Sequence, residues 1–374
     1  MEHYLDNAAT TMTCPEAAAA ALRAMTEQYG NPSSTHTMGR EAKKILEESR
    51  RQVASSLGAK APEEVVFTSC GTESDNWAIL RGAESMKRKG RHIISSGSEH
   101  DAVRRPLQAL ESQGYEITFL TPDKTGKIHP EQVREVLRED TILVSLMMVN
   151  NETGAWTDIH AISETLKKSH SQALLHTDAV QGFRKVPFRA DQLGADLISV
   201  SGHKIHAVKG IGALYIRSGT KLSPLILGGS QEGERRAGTE PLPQIAAFGT
   251  ACAQDAQIEK IRSMKNQTIE MLTQRIPELR FLDTEAPHIL SISMPGWRSE
   301  VLMNFLESRN VYVSRSSACR QGKRSHALEA IGLAPAWIDG ALRIGFSRYT
   351  TAEDIEALVE GLHEARSLAH RPVR

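Results

Sequence analysis

The sequence contains only four cysteines, at positions 14, 70, 252 and 319, and no two of them form a CxxC pair. Cysteines this few and this far apart argue against a disulfide-bonded secreted domain or a cysteine-rich zinc site, and they favour a reducing compartment. No apolar run approaches the ~20 residues that a transmembrane helix needs. The first residues lack the basic and apolar regions of a signal peptide, so we expect a cytoplasmic protein.

The chain also has no excess of charge of either sign. Its 374 residues include 45 Lys and Arg and 45 Asp and Glu, and this balance argues against general binding to nucleic acid or to a membrane surface. A chain of this length is too long for one compact core. We predict a large domain over residues 12–255 and a smaller domain formed by residues 1–11 and 256–374.

Short strand-like runs alternate with helical patterns along much of the sequence. The runs lie at residues 64–69, 92–95, 116–120, 141–149, 173–176, 196–200 and 211–216. Short apolar strands separated by helices predict an α/β fold with a mostly parallel central sheet and helices on both faces. Beyond a long helical region at 241–277, the remaining strands and helices predict a smaller α+β C-terminal domain.

Two polar segments follow neighbouring strand-like runs, one containing Asp178 and the other containing Lys204. A pyridoxal phosphate (PLP) enzyme needs this pair, because its lysine forms a Schiff base with the cofactor and its carboxylate keeps the pyridinium nitrogen protonated. In α/β folds the ligand site lies at the carboxyl ends of the strands. The pair therefore indicates a PLP enzyme, although Lys204 taken alone also fits an ordinary surface lysine.

Polar residues follow other strands too. Cys70-Gly71-Thr72 precedes a helical pattern, so its small residues and free backbone N–H groups suit a phosphate, although an ordinary helix start with Thr72 as its cap also explains it. His100 fits either a catalytic or a structural histidine. The segment Asn-Asn-Glu-Thr-Gly at residues 150–154 fits a loop that holds a ligand or a plain turn.

The segment Ser316-Ser317-Ala318-Cys319 offers a thiol among small residues. Its cationic neighbours in sequence are Arg315, Arg320, Lys323 and Arg324. A positive field favours the thiolate, which is the reactive form of cysteine. We therefore predict that Cys319 is a nucleophile that takes up the group released by the PLP chemistry.

Together these segments resemble the cysteine desulfurases of the NifS/IscS-like branch, in the class V aminotransferase family of PLP fold type I. The resemblance covers almost the whole chain in the expected order. The matching segments are residues 4–11, 30–34, 36, 68–76, 99–100, 150–154, 176–181, 201–205, 236–239, 316–319 and 342–344. The resemblance implies an enzyme that uses PLP to convert L-cysteine to L-alanine.

The resemblance also implies roles for residues that match the family's motifs. Lys204 would form the Schiff base and later move the Cα proton, and Asp178 would hold the pyridinium nitrogen. Gln181 would lie near the phenolic oxygen of PLP, and His100 would stack over the ring with an acid or base role. Cys319 would carry the sulfur as a persulfide.

Further residues are implied at the cofactor phosphate and at the substrate. The residues expected at the phosphate are Gly71, Thr72, Ser201 and His203. Thr239 would reach the phosphate of the other subunit, which implies a homodimer. Asn151 and Arg343 would hold the substrate carboxylate, with Asn151 also beside the cofactor, and a guanidinium matches a carboxylate bidentately.

The implied reaction ends with sulfur transfer from Cys319 to an acceptor protein, either an iron–sulfur scaffold or a thiolation enzyme. No metal, nucleic acid or membrane is expected to take part. A selenocysteine lyase would use nearly the same site, and another class V aminotransferase or lyase would share all of it except the cysteine. A catalytically silent scaffold or regulator that binds PLP is an alternative from a different class.

Some positions depart from the family's usual pattern. Cys70 stands where glycine is usual, His206-Ala207-Val208 replaces Tyr-Gly-Pro, and Arg315-Ser316 replaces Ser-Gly. The loop after Cys319 also looks shorter than usual. These departures leave the residues expected for the PLP chemistry in place, and they bear on the sulfur acceptor and on the loop.

Overall fold

The computed structural model describes residues 1–282, 284–294, 296–315 and 324–369. Its α-helices are α1 (Pro15–Thr26), α2 (Thr37–Leu57), α3 (Gly71–Met86), α4 (Asp101–Glu111), α5 (Pro130–Val136), α6 (Ile159–Lys168), α7 (Ala190–Leu193), α8 (Leu242–Ala253), α9 (Ile258–Arg275), α10 (Ser299–Glu307), α11 (His326–Ala330), α12 (Pro335–Asp339) and α13 (Ala352–Ala369). Its strands are β1 (His3–Tyr4), β2 (Val65–Thr68), β3 (His92–Ser96), β4 (Glu116–Leu120), β5 (Thr141–Ser145), β6 (Leu174–Asp178), β7 (Leu197–Ser201), β8 (Gly212–Ile216), β9 (Arg280–Leu282), β10 (Ile289–Ser293), β11 (Val311–Tyr312), β12 (Ser314–Arg315) and β13 (Ala341–Gly345). No helix in these ranges is long and apolar enough to cross a membrane.

The largest sheet has seven strands in the order β2-β8-β7-β6-β5-β3-β4. The five strands from β7 to β4 run parallel, whereas β8 is antiparallel to both β2 and β7. Ile93 packs against α3 and α4, and its neighbour Ile94 packs in the core that holds α6 and α8. Strands covered on both faces need apolar residues at every position. The predicted α/β fold with a mostly parallel sheet is therefore confirmed.

A second, antiparallel sheet has four strands in the order β12-β13-β10-β9. Its core combines Leu290 of β10, Leu302 of α10 and Leu358 of α13 with Leu5 near the start of the chain. β1 pairs in parallel with β11, so the first residues lie with this second sheet. The division of the chain into domains at residues 12 and 255 stays a prediction.

Two elements differ from the sequence-based prediction. β5 ends at Ser145 rather than Val149, and a bridge between Val149 and Trp156 then closes the loop at residues 150–154. The helix predicted at 241–277 is divided into α8 and α9, because Gln257 has a left-handed φ of 51° that a regular α-helix does not accommodate.

Candidate active site

A cavity of about 310 Å³ opens where strands of the seven-stranded sheet end. β6 ends at Asp178, β7 ends at Ser201, and α3 begins at Gly71, just after β2. This volume lies in the range of ligand pockets, roughly 300–1,000 Å³. The predicted site residues that line the cavity are Gly71, Thr72, His100, Asn151, Asp178, Gln181, Ser201, His203, Lys204 and Arg343.

Two predicted site residues are not among those that line the cavity. Thr239 is exposed at the surface of this chain. Cys319 lies outside the described residues. Described residues on either side of it make contacts near the cavity, because Arg343 Nη2, from a residue that lines the cavity, donates to Ser314 Oγ at 2.8 Å, and Ser325 Oγ donates to Oε2 of Glu152, the neighbour of Asn151.

Lys204 is placed by the short 3-10 turn that follows β7. Its Nζ donates hydrogen bonds to the carbonyl oxygens of Ala8 and Ala9, at 2.7 and 2.8 Å. Thr11 Oγ1 donates to the carbonyl oxygen of His203 at 2.8 Å, which fixes the same turn to the N-terminal segment. The N-terminal segment therefore forms part of the cavity wall and aims the lysine into it.

Asp178 ends β6 as a buried carboxylate at the base of the cavity. Its Oδ1 accepts a hydrogen bond from the Val180 backbone N–H at 2.9 Å. Burial, reinforced by the nearby charge of Asp75, raises the pKa of Asp178 to about 7. A positively charged group beside this carboxylate would remove that penalty, so the site is suited to a cationic ring nitrogen.

The residues behind Asp178 were not predicted as site residues. His176 is fully buried, with Nδ1 2.8 Å from Ser145 Oγ and Nε2 3.0 Å from Ser199 Oγ. Asp75 Oδ1 lies 3.5 Å from the same Nε2. Burial lowers the pKa of His176 to about 4 and raises that of Asp75 to about 7. The signal in the sequence was a histidine inside an apolar strand, two residues before the predicted carboxylate.

Glu99 adds a third buried carboxyl group to this region. Its Oε1 accepts from the Met147 backbone N–H at 2.9 Å, and its Oε2 is buried with no hydrogen-bond partner. Burial, together with the charges of Asp178 and Asp75, holds the pKa of Glu99 well above its ordinary value. Asp75 and Asp178, which line the cavity, and Glu99 nearby are therefore three buried carboxyl groups that ionise only against this penalty.

The part of the cavity lined by Gly71, Thr72 and Ser201 has the features of an anion site. Ser201 Oγ is buried and has no hydrogen-bond partner. Gly71 and Thr72 form the first turn of α3, where backbone N–H groups are free to bind an anion. A Cβ at Gly71 would lie 2.7 Å from Val180 Cγ2, so glycine is needed for this close approach. Cys70, the N-cap residue, also lines the cavity.

Two histidines beside the cavity have defined hydrogen bonds. His100 is the N-cap of α4, and its Nδ1 accepts from the Ala102 backbone N–H at 3.1 Å. A neutral His100 therefore carries its proton on Nε2. His203 Nδ1 lies 3.2 Å from Thr10 Oγ1, and burial, together with the charge of Lys204, lowers the pKa of His203 to about 4.

Arg343 is the cation on the side of the four-stranded sheet. It lies in β13 and is only 3% exposed. Its Nη1 donates to the Asn151 carbonyl oxygen at 2.9 Å, and its Nη2 donates to Asp6 Oδ1 at 3.0 Å. Its Nε is buried with no hydrogen-bond partner. The guanidinium is thus oriented from two sides, and its Nε–H remains for a further acceptor.

Gln181 lies between the two sheets. Its Nε2 donates to the Ala8 carbonyl oxygen at 2.8 Å, and its Oε1 lies 3.1 Å from His288 Nε2. His288 precedes β10 and was not predicted as a site residue, because nothing near it in the sequence marks it as a partner of residue 181.

The class V aminotransferase family model matches residues 3–358 of the chain. A cysteine desulfurase IscS from Methanosarcina thermophila is 40% identical over 371 residues, which cover 96% of this chain and 91% of that protein. The chain belongs to the NifS/IscS-like cysteine desulfurases of the class V aminotransferase family. The resemblance inferred from the motifs is therefore confirmed.

Solved structures agree with this membership. A NifS-like protein matches with a TM-score of 0.92 at 33% identity, covering 98% of this chain and 100% of that chain. SspA in complex with cysteine matches with a TM-score of 0.83 at 32% identity, covering 94% of this chain and 100% of that chain. Membership of this class V family carries cysteine desulfurase activity with PLP as the cofactor.

The residues of the cavity fit PLP. The unpartnered hydroxyl of Ser201 and the first turn of α3 suit its phosphate. The buried carboxylate of Asp178, at the base of the cavity, suits its ring nitrogen. Lys204 reaches the same cavity and supplies the amine that this class of enzyme requires.

Proposed function

We propose that the protein converts L-cysteine to L-alanine and receives the released sulfur on Cys319 as a persulfide. The observation that carries this proposal is one cavity lined by Lys204, the buried Asp178 and the guanidinium of Arg343. The first two suit PLP, and a guanidinium suits the carboxylate of an amino acid. SspA, which is 32% identical to this chain, was solved with cysteine, which supports the same substrate class.

The large sheet would hold the cofactor. Asp178 would keep a proton on the ring nitrogen, and Lys204 would hold the cofactor covalently. The residues proposed at the phosphate are Gly71, Thr72, Ser201 and His203, and Asn151 and Gln181 would flank the ring. When bound, PLP supplies an electron sink that weakens bonds at the Cα and Cβ atoms of the substrate.

Two residues would move protons. Lys204 Nζ, held by the carbonyl oxygens of Ala8 and Ala9, would take the Cα proton once the substrate amine has displaced it from the cofactor. His100 would hold a proton on Nε2, because its Nδ1 is occupied by the Ala102 N–H. That proton is available to the substrate or to the thiol.

Arg343 would bind the substrate carboxylate with Asn151. The contacts from Asp6 and from the Asn151 carbonyl oxygen orient the guanidinium before substrate arrives. An oriented group loses less entropy on binding than a mobile one. The substrate carboxylate would accept a hydrogen bond from the unpartnered Nε–H of Arg343.

Cys319 would attack the substrate sulfur as a thiolate. The S–S bond forms as the Cβ–S bond breaks, the electron pair passes to the substrate carbon, and protonation gives alanine. Ser314 touches Arg343, and Cys319 follows it by five positions. Five residues of extended chain span at most about 17 Å, so the thiol can reach the cavity.

The persulfide would then pass to an acceptor protein, an iron–sulfur scaffold or a thiolation enzyme in the cytoplasm. We also propose a homodimer in which Thr239 contacts the cofactor phosphate of the other subunit. Its exposure on this chain and its absence from the residues that line this chain's cavity support that placement.

The test is a single turnover of purified protein with PLP and L-cysteine, without reductant. We expect alanine in a one-to-one ratio with extra sulfur located on Cys319 by peptide mass spectrometry. Cys319→Ala should retain the visible absorbance of bound PLP and lose both products.

Cys252→Ala is the matched control for this test. Cys252 is buried in α8, and burial raises the pKa of its thiol to about 12, so its removal should change neither product. Normal alanine formation by Cys319→Ala would contradict the proposed mechanism. Bound PLP without alanine in the wild type would favour another class V reaction or a silent scaffold.

A further inference from the structure

His288 lies outside the catalytic residues proposed above, yet it is joined to them by a hydrogen bond. It precedes β10 and is 1% exposed. Its Nε2 is 3.1 Å from Gln181 Oε1, a residue 107 positions earlier in the chain. His288 therefore connects the four-stranded sheet to the side-chain amide of Gln181, which is expected beside the phenolic oxygen of PLP.

The hydrogen bonds define which way the Gln181 amide points. The carbonyl oxygen of Ala8 can only accept, so the atom 2.8 Å from it is the Gln181 nitrogen. The amide oxygen must then face His288. Because this oxygen can only accept, His288 Nε2 must donate and therefore carries the proton.

The surroundings of His288 hold it in that single form. Burial lowers the pKa of His288 well below its ordinary value, and the charged groups around it, which add to this effect, are Lys185, Lys265, Lys204 and Arg343. A neutral ring with its proton on Nε2 leaves Nδ1 bare, and Nδ1 is buried without a partner. The donor to Gln181 is thus fixed over the working pH range.

We infer that His288 is a positioning residue that holds the second N–H of the Gln181 amide toward the phenolic oxygen of PLP. One N–H of this amide is used by the Ala8 carbonyl oxygen, which also accepts from Lys204 Nζ at 2.7 Å. The other N–H is left for a further acceptor, and Gln181 is one of the residues that line the cavity. This inference rests on the proposed function, because it takes the cofactor to be PLP in this cavity.

The consequence is a property of the bound cofactor that can be measured. A donor to the phenolic oxygen withdraws negative charge from it. That charge otherwise stabilises the proton on the nitrogen that joins Lys204 to the cofactor. Holding the donor in place therefore lowers the pKa of that nitrogen, and releasing the Gln181 amide should raise it.

The test is a pH titration of the visible absorbance of the holoenzyme in His288→Phe, which keeps a ring and removes the donor. We expect the titration midpoint to rise by about one pH unit, equivalent to about 1.4 kcal/mol, and PLP to dissociate about tenfold more readily. His288→Gln, which restores an N–H donor, should return the midpoint toward that of the wild type. If His288→Phe does not fold, His288→Leu replaces it.

Two further variants separate positioning from general damage. His92→Phe replaces another buried histidine, at the start of β3, where its ring contacts Thr118 and Thr141, and it should leave the midpoint unchanged. Gln181→Leu should raise the midpoint by itself, and adding His288→Phe to it should raise it no further, because the two residues act through one hydrogen bond.

The inference would be overturned if His288→Phe left the titration midpoint unchanged. It would also be overturned if His288→Phe raised the midpoint equally in the wild type and in Gln181→Leu. If either result is found while the wild type still forms alanine from L-cysteine, the proposed function stands and only the role of His288 is rejected. A wild type that binds no PLP would overturn both.

Discussion

The two sheets contribute different walls of the cavity and treat charge in opposite ways. The wall from the seven-stranded sheet and α3 presents the buried carboxyl groups of Asp178 and Asp75, with Glu99 buried nearby, and burial raises the pKa values of all three. The wall from the four-stranded sheet presents Arg343, which is already held by Asp6 and Asn151. The carboxyl groups of the first wall carry a desolvation penalty that a cationic cofactor ring can remove, whereas the guanidinium of the second is oriented before any ligand arrives.

This difference separates two tasks. Buried carboxyl groups whose ionisation is unfavourable in the empty site favour the cationic form of a ligand that binds beside them. A site that is oriented in advance selects the shape and charge of the ligand. In the proposed mechanism the large sheet would set the electronic state of the cofactor, and the small sheet would select the substrate.

Replacing the lysine of the first wall should have the largest effect. Lys204→Ala should abolish the visible band of covalently held PLP and reduce alanine formation by ~10⁴-fold or more, because in the proposed mechanism this one residue would both anchor the cofactor and move the Cα proton. Absorbance spectra and alanine assays measure the two effects. Lys209→Ala, at a nearby exposed position, should behave as the wild type, and alanine formation within tenfold of normal by Lys204→Ala would contradict its role.

Replacing the cation of the second wall should have a smaller and different effect. Arg343→Ala should lower kcat/KM for L-cysteine by roughly 10- to 100-fold, the size expected for loss of hydrogen bonds to a charged group. Most of the loss should lie in KM, with the PLP spectrum unchanged. Arg280→Ala, at an exposed position of β9 in the same sheet, is the control. A changed spectrum with normal KM would show that Arg343 serves the cofactor instead.

The third prediction concerns the stability of the apoprotein. The pKa of Asp75 is about 7 in the folded chain, above its ordinary value, so folding favours the protonated form. Stability is therefore lost as the pH rises through about 7. Asp75→Asn should remove this dependence, so that between about pH 5 and pH 8 the wild type loses roughly 2–3 kcal/mol more than the variant.

Urea unfolding of the apoproteins at the two pH values measures this difference. Asp191→Asn is the control, because hydrogen bonds from the Arg189 guanidinium, which stays charged at both pH values, hold the pKa of Asp191 below its ordinary value. Its effect on stability should be the same at both pH values. Parallel stability losses in the wild type and Asp75→Asn would mean that Asp75 carries no raised pKa.

The sequence predicted the first wall better than the second. Asp178 and Lys204 each follow a strand of a recognisable α/β pattern, and parallel strands bring their carboxyl ends to one edge of the sheet. The burial that gives Asp75 and His176 their pKa shifts depends on how α3 packs against the sheet. No pattern in the sequence predicts how α3 packs there.

The second wall depends on contacts between distant residues. Asp6 meets Arg343 across 337 positions, and His288 meets Gln181 across 107. Family motifs predicted Arg343 and Gln181, but neither periodicity nor motif spacing identifies the residues that orient them. Such partners are defined only once the two sheets are assembled.

The N-terminal segment has a consequence for the order in which the molecule is made. Ala8 and Ala9 hold Lys204, and the strand that fixes them, β1, pairs with β11 from His3 to Val311. Residues 3–9 therefore cannot take their final place until β11 has been synthesised. Because Arg343, which also lines the cavity, comes later still, we expect the complete cofactor and substrate site to form only once residue 343 has been made.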